Sequence, residues 1–167
     1  MNYVAKKLCD SLSVSGIVNL HFFEFSKDFS TEGERHPFYE LIFINSGKMH
    51  VSSEDYTGYL NKHEMIIHRS NSEHSLQCDS DGTLAVIIIG FESDSEVLDI
   101  FSKEPLLLSD NLIKKLAEII KEGRNVFLPP FNTPVYDMKK RKKQLEQPWG
   151  FIKQSVLMME QDRLKEM

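Results

Sequence analysis

Four side chains that could carry chemistry are concentrated in one part of the sequence: Glu34, His36, Glu40 and, further along, His74. The first three have the same parity, so on an extended strand they project from one face. His74 would join them from a neighbouring strand. Imidazole nitrogens and carboxylate oxygens are competent ligands for Zn, Mn, Fe or Ni, and they also hydrogen-bond polar molecules. The pattern therefore predicts either a metal centre or a polar patch in a cavity, and so short a pattern does not decide between them.

Short β-strands are the elements that would position these residues. Stretches rich in β-branched and aromatic residues alternate with turn signals such as Ser46-Gly47, and many short strands at close spacing favour a sandwich or barrel. We predict strands at 17–25, 38–45, 48–52, 56–60, 64–68, 74–78 and 84–91. If Glu34, His36 and Glu40 face inward, parity also sends Phe38, Ile42 and Ile44 inward, and Tyr39, Leu41 and Phe43 outward under helices.

Two helices are predicted after the strands. The first spans 111–122 and carries one broad apolar stripe, with Gly123 as its stop signal. The second runs from about 148 to 165. It has a wide apolar face that must pack on the strands, on the first helix or on another subunit. Ile152, Val156, Met159 and Arg163 share this face, and Trp149 lies beside it.

Composition and charge exclude several classes of function. The chain has 167 residues and a net charge of −5, and no apolar run approaches the ~20 residues that span a bilayer. Its start lacks the apolar core of a signal peptide, so we expect a cytoplasmic protein with no membrane partner. Residues 1–109 carry 8 basic and 17 acidic side chains, which would repel nucleic acid. The basic run at 139–143 is typical of a solvated linker or helix face.

Three segments of the sequence carry a resemblance to known proteins. His36 to Glu40 and Glu40 to Gly47 match the H-x3-E and E-x6-G halves of the first cupin motif. In the second motif His63 stands where a glycine is usual, and His68 where a proline is frequent. The segment 38–47, Phe-Tyr-Glu-Leu-Ile-Phe-Ile-Asn-Ser-Gly, is similar to the sensor domains of AraC-type transcription regulators. The segment 148–160 resembles the helix that follows in those regulators and often mediates dimerisation.

The resemblance implies a mainly β fold: a cupin-like jelly-roll β-barrel at 1–108, followed by two helices in a dimerisation or linker region at 109–167. It implies a sensor that is not an enzyme and needs no cofactor. The barrel would bind a small polar effector, such as a sugar. The implied ligand-binding residues are Glu34, His36, Phe38, Glu40, Ile42 and His74.

The resemblance also implies partners. A homodimer would form through Trp149, Ile152, Val156, Met159 and Arg163. The family's helix-turn-helix units are missing from this chain, so we expect a fragment of a longer regulator that contacts DNA only through a further C-terminal domain. The alternative is a small metal-dependent cupin enzyme, an isomerase or dioxygenase. If a metal binds, the expected ligands are His36, Glu40 and His74.

Overall fold

The computed structural model describes residues 12–25, 29–79 and 83–126. This part of the chain is mainly β, as predicted, with one long helix. The strands are β1 (Gly16–Phe25), β2 (Tyr39–Ser46), β3 (Met49–Ser53), β4 (Thr57–Leu60), β5 (Glu64–His68), β6 (His74–Cys78), β7 (Leu84–Glu92) and β8 (Leu106–Leu107). A 3₁₀ helix, Glu96–Ser102, precedes β8, and helix α1, Asp110–Val126, follows it.

The strands form two sheets. The larger has the order β1-β7-β2-β5-β8 and the smaller has the order β4-β3-β6, and every pairing is antiparallel. Side chains from both sheets share one apolar core, which includes Ile42 and Val86 from the larger sheet and Val51 and Leu76 from the smaller one. The fold is therefore two packed layers, with the strand β2 central in the larger layer.

The predicted barrel is not closed in the part of the chain that the structure describes. Closure requires a hydrogen-bonded ladder that continues around the whole circumference. No ladder of described residues joins the two sheets. Among the described residues, two isolated bridges extend the smaller sheet, Ser30 with Gln77 and Glu34 with His74, and both come from a segment that precedes β2. The two layers consequently leave an opening between them.

The alternation along β2 is as predicted. Ile42 and Ile44 point into the core between the sheets, whereas Tyr39, Leu41 and Phe43 point to the opposite face. On that face they pack with the apolar side of α1 and with the 3₁₀ helix. Because both faces of β2 are covered, its side chains from Tyr39 to Ile44 are all buried. This double cover explains the near-continuous apolar sequence of the strand.

One local prediction is corrected, and one short strand was not predicted. The helix α1 does not stop at Gly123 but continues to Val126. A Cβ atom at Gly123 would lie 2.7 Å from Cδ1 of Leu20, so this glycine permits close approach of the helix to β1 rather than ending the helix. The two-residue strand β8, which pairs with β5, was not predicted, because so short a segment has no periodic signal.

The predicted second helix and its dimerisation residues, Trp149, Ile152, Val156, Met159 and Arg163, lie outside the described residues. Among the helices that the structure describes, none has the length and apolar character needed to cross a membrane.

Candidate functional site

Glu40 is the centre of a buried polar cluster. It lies on β2, opposite His68 on β5 and Gly90 on β7, and is only 7% exposed. Its carboxylate oxygens lie 3.2 Å from Nε2 of His74 and 3.8 Å from Nε2 of His36. A buried carboxylate is costly unless its charge is compensated, and here the compensating groups are imidazoles.

The other nitrogen of each imidazole shows what these rings can offer. Nδ1 of His36 lies 3.0 Å from the carbonyl of Phe38, and Nδ1 of His74 lies 3.0 Å from the carbonyl of Ser72. A carbonyl only accepts, so Nδ1 must carry the proton in both rings. In the neutral rings Nε2 then holds a lone pair close to the negative charge of Glu40. That arrangement is favourable only when a proton or another cation lies between them.

The protonation balance follows from these contacts. Burial opposes ionisation of Glu40, but the hydrogen bond and positive charge of His74, with the nearby His36, outweigh it and lower the pKa of Glu40. Burial likewise favours neutral His74, but the contact with Glu40 outweighs it and raises the pKa of His74. Both shifts favour a carboxylate paired with an imidazolium. The 3.2 Å contact is an ion pair whose alignment is poorer than that of a regular hydrogen bond.

His68 is a further member of the cluster that was not predicted as a site residue. Its ring stacks on His74 with centroids 4.4 Å apart, and it is 1% exposed. Burial and the neighbouring His74 lower the pKa of His68 to about 3, so it is neutral at ordinary pH. Neither of its ring nitrogens has a hydrogen-bond partner among the described residues. The available signal was its position on β5, which pairs with the strand of Glu40.

A cavity of about 410 Å³ opens between the sheets beside this cluster. Part of its wall is aromatic, from Phe23, Phe25, Phe29 and Phe38, with Leu76 and Ile88 completing the apolar part. The rest is polar and comes from Asn19, His21, Ser30, Thr31, Glu34, His36 and Glu40.

Four of the six predicted ligand-binding residues line this cavity: Glu34, His36, Phe38 and Glu40. His74 lies behind Glu40, where it contacts the carboxylate and faces a separate, more open polar depression. Ile42 is completely buried in the core between the sheets and is not part of the cavity wall. Parity correctly predicts that Ile42 points between the sheets, but packed side chains of the core surround it there and separate it from the cavity.

The segment 29–34, hereafter the strap, carries part of the cavity wall. It follows the edge of β6, where Glu34 and His74 exchange both backbone hydrogen bonds, at 2.8 and 3.0 Å. Thr31 donates to the carbonyl of Leu76 in the same way. At its other end Phe29 stacks on Phe25 of β1, with ring centroids 3.5 Å apart. The strap therefore links the edge of the smaller sheet to the first strand of the larger one.

A second polar group, next to the histidines, connects the site to the helical side. Arg69 directly follows His68 and binds both carboxylate oxygens of Asp55. Asp55 also accepts a hydrogen bond of 2.9 Å from Ser102 at the end of the 3₁₀ helix. Burial works against ionisation of Asp55, but the hydrogen bonds from Arg69 and Ser102 outweigh it and lower the pKa of Asp55.

The donor atoms of the cluster fit a metal ion. His36, Glu40 and His74 each offer one ligand atom, and these three atoms lie within 4.8 Å of one another. They belong to the three ligands that the sequence predicts for a metal. Ligand atoms around a single Zn²⁺ lie roughly 3–4 Å apart, given bonds of about 2.1 Å, so small side-chain movements would suffice. Nε2 of His36 and Nε2 of His74 make no regular hydrogen bond with a described residue, which agrees with this role. Glu34 is not part of the group.

The solved structures reported below are distantly similar to this chain. No protein-family model matches the sequence, and no curated protein sequence matches it significantly. Among solved structures, ToxT from Vibrio cholerae O395, bound to (E)-4-(8-methylnaphthalen-1-yl)but-3-enoic acid, is similar with 18% identity and a TM-score of 0.48. The match covers 64% of this chain and 48% of the ToxT chain.

Two proteins described as cupins are also similar. A cupin superfamily protein from Desulfitobacterium hafniense shares 17% identity with a TM-score of 0.38, and the match covers 42% of this chain and 63% of that one. The cupin domain of Drosophila melanogaster CENP-C shares 14% identity with a TM-score of 0.41, and the match covers 48% of this chain and 68% of the CENP-C chain. The matches to ToxT and to the Desulfitobacterium protein thus span less than two thirds of those chains. Likenesses this distant carry no argument about ligands or partners.

Proposed function

We propose that this chain is the ligand-sensing and dimerisation part of an AraC-type transcription regulator, and that it binds a small polar metabolite, such as a sugar, between its two sheets. The cavity of about 410 Å³ is the observation that supports the proposal. Small-molecule sites are typically concave and mostly apolar, with a few placed polar groups. The aromatic wall and the polar residues Glu34, His36 and Glu40 meet that description.

The resemblance of segment 38–47 to AraC sensor domains adds the regulatory role. In this proposal the site binds its ligand without transforming it. The ion pair between Glu40 and His74 stabilises the wall of the site and keeps its polar groups in place.

A thermal-shift screen tests ligand sensing directly. A panel of sugars, polyols, amines and small carboxylic acids is added to the purified chain. We expect at least one compound to raise the melting temperature by several degrees, because a ligand at about 100 times its Kd adds about 2.7 kcal/mol of stability. The variant Phe38→Ala, which changes the cavity wall, should lose that shift.

The matched control is Tyr59→Ala, which removes an exposed aromatic ring outside the cavity wall and should keep the shift. A panel that leaves the melting temperature unchanged at millimolar concentration would contradict the sensor proposal.

A metal-dependent cupin enzyme is the second candidate function. The convergence of His36, Glu40 and His74 favours it. In addition, neither ring nitrogen of the buried His68 has a hydrogen-bond partner in the part of the chain that the structure describes. A divalent ion there would supply a Lewis acid, while Glu40 and the two histidines would hold it. The cavity beside the cluster would admit a substrate next to such an ion.

Calorimetric titration of chelator-treated protein with Mn²⁺, Zn²⁺ or Ni²⁺ tests this candidate. One equivalent should bind to the parent chain and to His50→Ala, whose ring lies on β3 away from the cluster. The variant His36→Ala should bind at least tenfold more weakly. Elemental analysis that finds clearly substoichiometric metal after loading would exclude a metal enzyme.

A further inference from the structure

We propose that the ligand of the cavity is an organic cation: a small amine or quaternary ammonium compound with a ring-like apolar body, held by the carboxylate of Glu34 and by aromatic faces. This inference rests on the proposed function, because it assumes that the cavity is the ligand site. It adds the charge of the ligand and replaces the sugar suggested above with a different chemical class.

The charge of the cavity wall carries the first step. Its described residues include two carboxylates, Glu34 and Glu40, and no lysine or arginine. Glu40 is already compensated by His74, which lies behind it at 3.2 Å. The carboxylate of Glu34 makes no hydrogen bond or ion pair with a described residue, and Glu34 is exposed at the cavity. The charge of Glu34 also contributes to the raised pKa of His74, but its carboxylate has no direct partner among the described residues and remains open to a ligand.

The nearest arginine does not neutralise this charge. Arg35 follows Glu34 directly, but its guanidinium binds the carbonyl of Asn71 and the carboxylates of Glu54 and Glu73, at 3.1 and 3.3 Å. It is not part of the cavity wall. A ligand with a carboxylate or phosphate group would meet Glu34 without a described lysine or arginine to offset the repulsion.

The aromatic wall carries the second step. Phe29 stacks one face on Phe25, and Phe38 stacks one face on His36 with centroids 3.7 Å apart; no further ring of a described residue stacks on Phe29 or Phe38. Ring faces attract cations, because their quadrupole is negative at the face, and Phe rings also bury an apolar ligand body. Aromatic faces and a free carboxylate are the combination that recognises ammonium groups. A volume of about 410 Å³ limits the ligand to a small molecule.

Three compounds of nearly equal shape and different charge test the inference: 2-phenylethylamine, 2-phenylethanol and phenylacetate. Binding to the full chain is measured by calorimetry at low and at moderate salt. We expect the amine to bind most tightly and phenylacetate least, and we expect salt to weaken only the amine. Glu34→Gln should weaken binding of the amine about fivefold, which is the size expected for a solvent-accessible ion pair. The same variant should bind 2-phenylethanol as the parent does. Glu32→Gln, an exposed change outside the cavity wall, should bind like the parent.

The outcomes separate this inference from the proposed function. Preference for phenylacetate, or equal binding of the amine to the parent and to Glu34→Gln, would overturn the cation inference and leave the cavity as a ligand site. The cation inference would also be overturned if a neutral sugar stabilised the chain and the amine did not. If no compound of the broad screen binds either, the ligand-sensing proposal itself fails.

Discussion

Glu40 shows how a single buried charge determines the character of its surroundings. Its partners are histidines, so the compensation depends on protonation or on a bound cation rather than on a permanently charged lysine or arginine. The ion pair with His74 is complete only between the lowered pKa of Glu40 and the raised pKa of His74. Stability from this pair is therefore lost on the acid side by protonation of Glu40 and on the alkaline side by deprotonation of His74.

His68 gives a pH prediction at the residue scale. The charged groups and titratable rings that face it are His74, Glu40, His36 and Asp55, and burial dominates. Its folded pKa of about 3 is below its ordinary value of 6.5, so the unfolded chain takes up the proton first. Folding stability is then lost as the pH falls from 6.5 towards 3, by about 2 kcal/mol at pH 5 from this residue alone.

Chemical denaturation of chelator-treated protein across this pH range measures the effect. His68→Phe, which retains an aromatic ring for stacking on His74, should make the acid loss of stability less steep. His50→Phe should leave the slope as in the parent. Equal slopes in His68→Phe and the parent would show that His68 is not the proton acceptor.

At the scale of elements, Arg69 and Asp55 hold three parts of the chain together. Asp55 lies in the turn between β3 and β4, Arg69 follows β5, and Ser102 ends the 3₁₀ helix. The pair is only partly exposed, at 34% for Arg69 and 20% for Asp55, and it is bidentate. Such geometry is worth more than a single exposed ion pair.

We therefore expect Asp55→Asn to lower the free energy of unfolding by about 1–2 kcal/mol near neutral pH, measured by urea denaturation. The loss should shrink as the pH falls below the ordinary Asp value of 3.8, because a lowered folded pKa makes the contribution of Asp55 disappear in acid. Glu54→Gln changes a more exposed partner of Arg69, at 4.0 Å, and should cost less than about 0.5 kcal/mol. If Asp55→Asn also lowered the free energy of unfolding by less than about 0.5 kcal/mol, the contacts of Asp55 with Arg69 and Ser102 would not be stabilising.

The elements also show how far the sequence determines the structure. Strands with clear periodicity or strong turn signals, such as β5 and β6, were predicted with their observed bounds. The end of α1 was misplaced because the sequence cannot show that Leu20 packs against Gly123. Parity brought Glu34, His36 and Glu40 to one face, but His68 was missed because its role depends on strand pairing. Whether a barrel closes is likewise a property of ladders between distant strands.

At the scale of the whole molecule, the predicted self-association remains a prediction. The helix α1 covers the outer face of the larger sheet through Leu112, Leu116 and Ile119. The predicted dimerisation segment lies outside the described residues. We expect the chain to sediment as a dimer, and a variant with Val156→Glu and Met159→Glu to sediment as a monomer, because charges on an apolar contact surface oppose association.

Leu107→Glu is the matched control, since it places the same charge on an exposed apolar residue of β8. It should sediment as the parent does. A monomeric parent chain at high concentration would exclude this dimer.

The pairing of the strap with β6 has a consequence for how the chemistry of the cavity can change. Along an extended segment neighbouring side chains face opposite sides, so the bridge between Glu34 and His74 decides which residue reaches the cavity. A slip of one residue would present Arg35 in place of Glu34. Because such a slip would also move Ser30 and Thr31, the charge of the cavity wall depends on the register of the strap against β6 as well as on the residues that the strap contains.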